Sequence, residues 1–294
     1  MAAQQSSGAS AASPVRLLPP AAYTSHYVEA GGRKLHYLDY GRAGGAPMLC
    51  VHGGAAHAHW FDFIATGFIE DHHVRAIDLR GHGDSAPGEP QDYVYTRYAA
   101  DLNEAIETLD LRDFLLVGHS MGGMCCLLYA ATYPGRVGKL VVIDSTFHMT
   151  EDRVSNLRNV GSRDGRSYAT RDEFISGFRL RPAGTTAHPD VIRHLAEVSS
   201  KQTPDGRWRP KFDRNVYAQR VPIYGIPYWE QIKTPALVVR GALSPRISDE
   251  TFAEIKKRCP QAELASVANS DHHVTLDNPA GFVEAVRGWL RRQA

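Results

Sequence analysis

Short, continuous apolar runs alternating with helical patterns constrain the fold of this chain more than any other feature. The runs are Met48-Leu49-Cys50-Val51, Val74-Arg75-Ala76-Ile77, Phe114-Leu115-Leu116-Val117, Leu140-Val141-Val142-Ile143 and Ala236-Leu237-Val238-Val239. A strand with one wet face alternates apolar and polar residues, whereas a run without that alternation is buried on both faces. Helical patterns separate them, around Trp60-Phe61 and Phe63-Ile64, from Tyr98 to Leu109, and from Met124 to Tyr133 before Pro134-Gly135. Buried strands separated by helices predict a mostly parallel sheet covered on both faces, an α/β fold. His26-Tyr27-Val28 and Lys34 to Leu38, flanking Gly31-Gly32, predict a hairpin ahead of it. A helix over Phe252 to Cys259, a strand over Glu263 to Val267 and a helix from Pro279 to Arg292 close the pattern.

Between these parts, residues 146–229 lose the buried runs. Arg, Gly, Pro and Asp cluster there around helical pieces near Arg171-Phe178 and Val191-Val198. The predicted organisation is a disordered tail (1–24), a first core part (25–145), a helical insert (146–229) and a second core part (230–294). The tail is rich in Ala, Ser, Gln and Pro and lacks the charged start and apolar block of a secretory signal. No apolar stretch has the length of a membrane span. The expected address is therefore cytoplasmic. Four cysteines, Cys50, Cys125, Cys126 and Cys259, form no Cys-x-x-Cys, so they read as packing thiols in a reducing compartment. A net charge of +1, with basic residues scattered, argues against a nucleic-acid partner.

The chemistry concentrates at one turn. Gly118-His119-Ser120-Met121-Gly122-Gly123 is entered by a strand and left by a helix, with small residues around the serine as a sharp turn requires. Such a turn presents the Ser120 hydroxyl at the C-terminal edge of the sheet. It also leaves the Met121 amide free at a helix N-terminus. A serine nucleophile needs a base, and the base needs an orienting carboxylate. His272 is the best-placed base, in the loop Ser270 to Asn278 between the last strand and the last helix; His273 competes with it. For the acid, Asp144 stands at a strand tip in Ile143-Asp144-Ser145 and is favoured. The alternative, Asp249, is expected to begin a helix as its cap. Val51-His52-Gly53-Gly54-Ala55 follows a strand, so the Gly54 amide can face that of Met121 as a second oxyanion donor. The spacing of His52, His57 and His59 matches no common metal site, and no metal is expected. Asp78-Leu79-Arg80-Gly81-His82-Gly83-Asp84-Ser85 reads as a braced glycine loop under the site.

Taken in order, these four motifs make the sequence resemble the α/β-hydrolase superfamily over nearly all of residues 26–292 outside the insert. The resemblance implies an eight-stranded, mostly parallel sheet with helices on both faces and a helical cap over 146–229. It favours His272 over His273 because His272 stands five positions before Asp277 at the start of the last helix. The sequence departs from many relatives after the seventh strand, where Gly241-Ala242-Leu243-Ser244-Pro245 replaces the usual acid. Small esterases with the acid after strand six and a serine at this place look similar, which supports Asp144 and makes Ser244 an assisting fourth member.

The expected activity is that of a carboxylesterase-type serine hydrolase, cleaving an ester of a small or medium-sized, largely apolar substrate without a cofactor. Carbon–carbon hydrolysis of diketone-like substrates is the alternative, and a non-catalytic ligand-binding member is the third reading. Gly53, His57, Trp60, Phe147, His148, Tyr224 and Trp229 are expected to line the substrate site. Oligomeric state is not legible.

Overall fold

The computed structural model describes residues 15–293. Residues 1–14, most of the segment expected to be a disordered tail, lie outside the described residues. The end of that segment is held to the core. Ala21 is buried and its amide donates to the Asp62 carbonyl at 2.8 Å.

In chain order, the first core part holds β1 (Thr24–Ala30), β2 (Arg33–Asp39), β3 (Ala46–Val51), a 3₁₀ turn (Ala58–Phe61), α1 (Asp62–Ala65) and β4 (His72–Ile77). It continues with α2 (Tyr95–Thr108), β5 (Phe114–His119), α3 (Met121–Thr132) and β6 (Val137–Ile143). The insert holds α4 (Glu151–Ser162), α5 (Arg171–Gly177), α6 (Pro189–Val198), β7 (Ser200–Gln202), β8 (Trp208–Pro210) and α7 (Asn215–Ala218). The chain then completes the core with β9 (Ala236–Gly241), α8 (Asp249–Arg258), β10 (Ala262–Val267), α9 (Val274–Asp277) and α10 (Pro279–Arg292).

Eight strands form one sheet in the order β1-β2-β4-β3-β5-β6-β9-β10. Only β2 runs against the rest, being antiparallel to both β1 and β4. The alternation of faces explains the apolar runs. Leu49, Val51, Leu116 and Val142 belong to one core, while Met48, Cys50, Val117 and Val141 belong to the other. The central residues of β3, β5, β6 and β9 are dry on both faces, so they are apolar.

From β3 the chain turns to β4 on one side, then crosses to β5 on the other. In an open α/β sheet, this reversal leaves a crevice beyond the carboxyl ends of the two central strands. The Gly53-Gly54 loop leaves β3 there, and Ser120 leaves β5.

The insert is not wholly helical. β7 and β8 pair as an antiparallel ribbon, but Lys201, Gln202, Arg209 and Pro210 are exposed, so the ribbon has no apolar run to betray it. Polar contacts fasten the insert to the core: His194 Nε2 to Asp62 Oδ2 at 2.7 Å, and Lys211 Nζ to Asp84 Oδ2 at 2.6 Å.

All four cysteines are buried and unpaired, and burial pushes the Cys125 thiol up to about 12. Among the described residues, no helix is long and apolar enough to cross a membrane.

Candidate active site

The turn between β5 and α3 is sharp because it must be. Ser120 has φ 53° and ψ −116°, a conformation that a residue with a Cβ rarely adopts. Three hydrogen bonds hold it: the Ser120 amide to Ile143 O at 2.8 Å, and the Ser145 hydroxyl and Met124 amide to Ser120 O at 2.9 and 3.2 Å. The glycines that follow allow α3 to lie directly on β3 and β6. A Cβ on Gly122 would stand 2.3 Å from His52 O, and one on Gly123 would stand 2.1 Å from Ser145 Oγ. The Ser120 side chain does not cap α3, so it takes up none of the first amides of that helix.

Neighbouring elements deliver the other groups. Asp144 closes β6, fully buried and also at positive φ (43°), with its amide on Val239 O of β9 at 2.8 Å. His272 lies in the loop after β10 and donates through Nδ1 to Asp144 Oδ2 at 2.7 Å. Its carbonyl accepts from His119 Nε2 at 2.8 Å, and the two rings lie 4.7 Å apart. His272 is thus tied to the residue just before Ser120. With the proton on Nδ1, the Nε2 lone pair is free. No hydrogen bond joins it to Ser120 Oγ, a contact that commonly closes only with substrate in place. His273 is turned away, with Nε2 donating to Pro182 O at 2.9 Å.

Ser244 donates to the same Asp144 oxygen at 2.7 Å, and Arg246 Nε stands 3.7 Å from it. Burial pushes the Asp144 carboxyl up to about 6, even against the Ser244 bond and the Arg246 charge. Burial also holds His272 well below the usual imidazole range, and Arg246 and His273 add to that. Asp249 is elsewhere. It is 80% exposed in the first turn of α8, paired with Arg240 at 2.7 Å, and Ser248 rather than Asp249 caps the helix.

The two amides read as oxyanion donors sit on adjoining walls. A Cβ on Gly54 would lie 3.6 Å from Met121 Sδ and 3.1 Å from the Tyr217 hydroxyl. One on Gly53 would lie 3.1 Å from Ser120 Cβ. His52 sets this loop. Its Nε2 accepts from the Leu79 amide at 3.0 Å, so the proton is on Nδ1, which donates to Gly53 O at 2.7 Å. Leu79 belongs to the glycine loop. There Asp78 accepts from the Ala58 and Asp84 amides at 2.6 and 2.9 Å, and Arg80 is clamped by Asp101 at 2.5 Å.

The residues expected to contact substrate divide. Phe147, His148 and Tyr224 line a cleft of about 490 Å³ with Thr146, Ile226, Arg246, Thr251 and Glu254, and Ser120 is not part of its lining. Trp229 is not at this surface; it is fully buried, edge-on to Phe147 at 5.5 Å. His57 and Trp60 have other partners. Both pack inward from the 3₁₀ turn, with ring centres 4.8 Å apart, and His57 Nε2 donates to Ser199 Oγ of the insert at 2.7 Å. Nor do His52, His57 and His59 converge: His59 instead bonds Asp62 Oδ2 at 2.9 Å. Arg220 and Arg246 come to the site without a motif to announce them. They are single residues in irregular segments whose burial depends on how the insert docks.

Comparison with known proteins gives a consistent result. Residues 46–279 match the alpha/beta hydrolase fold family. A serine hydrolase-like protein of Danio rerio is 35% identical over 277 residues, 87% of this chain and 84% of that one. The esterase YbfF of Escherichia coli (strain K12) is 28% identical over 255 residues, 83% of this chain and 93% of that one. The crystal structure of E-2-(acetamidomethylene)succinate hydrolase superposes with a TM-score of 0.80 at 26% identity, over 92% of this chain and 100% of that one.

Proposed function

The chain belongs to the alpha/beta hydrolase fold family, and from that premise we propose that it cleaves a carboxylic ester of a small or medium-sized substrate through an acyl-enzyme on Ser120. One observation carries this reading: the bond donated by His272 Nδ1 to Asp144 Oδ2, which leaves Nε2 unprotonated at the edge where the turn presents Ser120. In this reading, Ser120 Oγ attacks the carbonyl carbon while His272 Nε2 takes the hydroxyl proton. Asp144 stabilises the imidazolium, and the Gly54 and Met121 amides hold the oxyanion. His272 then gives its proton to the leaving alcohol. Water, activated by the same nitrogen, attacks the acyl group and restores the Ser120 hydroxyl.

A fluorophosphonate probe tests the reading. Wild type is expected to be labelled and Ser120→Ala not, with turnover of short 4-nitrophenyl esters lost in parallel. A folded wild type that takes no label sinks the proposal. Preference for a vinylogous diketone over those esters would move the activity to carbon–carbon bond hydrolysis.

The buried acid–base pair makes a pH prediction. Catalysis needs Asp144 ionised and His272 neutral. Burial keeps His272 neutral to well below its ordinary value, while Asp144 is pushed up to about 6. The proton therefore enters the pair as pH falls through about 6, and that apparent value belongs to both groups together. kcat/KM is expected to be level above this point and to fall about tenfold per pH unit below it. A level profile down to pH 4 would contradict the assignment.

His52 gives a third expectation. His52→Ala removes both the Leu79 bond and the Gly53 bond, freeing the loop that carries the Gly54 amide. The expected loss is on the order of 10²-fold in kcat, with KM changing far less, because misplacement acts on the transition state. Steady-state kinetics on a 4-nitrophenyl ester would check it.

A further inference from the structure

Among the described residues, Arg220 is a buried cation with no counter-ion. It lies in the insert just after α7, 2% exposed, with its carbonyl tied to Arg158 Nε at 2.7 Å. Its guanidinium stands 5.3 Å from the Tyr95 ring centre and 5.7 Å from that of Tyr217. Nη2 donates to Met121 Sδ at 2.9 Å, and Nε has no partner. Among the described residues, no Asp or Glu lies within ion-pair distance of it. The groups that face it are the phenols of Tyr95, Tyr98 and Tyr217 and the Cys125 thiol.

A guanidinium cannot shed its proton to escape burial. Stacking on two aromatic rings recovers only part of the lost hydration, and a thioether is a weak acceptor. The planar fork, suited to a bidentate carboxylate, is therefore held in place with only a weak acceptor on Nη2 and none on Nε. Its position gives it a use. Met121 supplies a proposed oxyanion amide, and its sulfur touches Arg220. The Tyr217 hydroxyl under the same guanidinium is 3.1 Å from the Cβ position of Gly54. Arg246 and Arg153 add positive charge around His272.

We propose that Arg220 binds a carboxylate carried by the substrate, so that the preferred esters are half-esters of short dicarboxylic acids. This rests on the Ser120 acyl-enzyme reading and adds a charged anchor to a pocket otherwise expected to be apolar.

Mono-4-nitrophenyl glutarate and 4-nitrophenyl pentanoate differ in the free carboxylate and share the acyl length. Wild type is expected to favour the glutarate in kcat/KM by about tenfold or more, as one charge-assisted hydrogen-bonded pair provides. That ratio is expected to fall near one in Arg220→Met and partway in Arg220→Lys. Free glutarate is expected to raise the melting temperature of wild type and of Ser120→Ala, and pentanamide is not. Equal or reversed ester preference in wild type overturns the proposal. So does a glutarate shift that is absent, or one matched by inorganic phosphate at equal ionic strength. If Arg220→Met does not fold, the wild-type ratio and the glutarate shift decide alone. Should glutarate stabilise the protein while neither ester is turned over and Ser120 takes no label, the carboxylate site stands and the hydrolase reading falls.

Discussion

Asp144→Asn is expected to lower kcat by about 10⁴-fold, the scale on which a triad fails when its histidine is held in the wrong tautomer, while Asp249→Asn leaves it within about twofold. The asymmetry follows from what each carboxylate touches. Asp144 Oδ2 accepts from His272 Nδ1, so the imidazole proton is fixed away from Ser120. An asparagine amide rotated to donate there would force Nδ1 to accept. The proton would then sit on Nε2, and the base would have no lone pair for the hydroxyl. Asp249 is 80% exposed and pairs with Arg240 on the outside of α8. Removing such a pair costs at most about 1 kcal/mol of stability and touches no reacting group. Measuring kcat for both variants on one 4-nitrophenyl ester, with circular dichroism to confirm folding, decides the matter. Comparable losses in the two would remove Asp144 from its proposed role.

That such a comparison can be framed reflects what local sequence encodes. The position of Asp144 is legible because a strand tip is legible: Leu140 to Ile143 is a continuous apolar run, and the residue after it must stand at the sheet edge. Ser120 is legible for the same reason, with glycines added to permit the turn. Only the resemblance points to Ser244, and its hydroxyl lies on the same Asp144 Oδ2 as His272 Nδ1. What was illegible depends on contacts between distant parts of the chain. Closeness in sequence to Gly54 points His57 toward the reaction, but Ser199, 142 residues away, claims its ring nitrogen. The β7–β8 ribbon leaves no mark on the sequence pattern because four of its six residues are exposed. Arg220 looks like any surface arginine until α7 folds it against Tyr95 and Met121. Periodicity reports burial within an element, and no periodicity reports an isolated side chain buried by docking.

Ser120→Gly is expected to abolish turnover, by about 10⁵-fold or more, and at the same time to make the protein more stable. At φ 53° and ψ −116° the serine Cβ is strained, and strain of this kind costs roughly 1–3 kcal/mol. The turn persists because its surroundings leave no alternative. Its amide and carbonyl are bonded to Ile143, Ser145 and Met124, and the glycines after it are pressed against β3 and β6. Glycine relieves the strain but loses about 0.5–1 kcal/mol more backbone entropy on folding. The net gain is therefore about 1 kcal/mol, or roughly 2–4 °C in melting temperature for a domain of this size. Ser120→Ala is the control, since alanine keeps the Cβ and hence the strain. It is expected to lose activity equally without the rise. Thermal denaturation of the three proteins reads the difference directly. If glycine melts at or below the wild-type temperature, the backbone at Ser120 is not a store of strain. Such a result would leave the serine's place at the turn to be explained by the hydroxyl alone. A rise in glycine only would show that the fold gives up stability at the one residue that the proposed chemistry cannot replace.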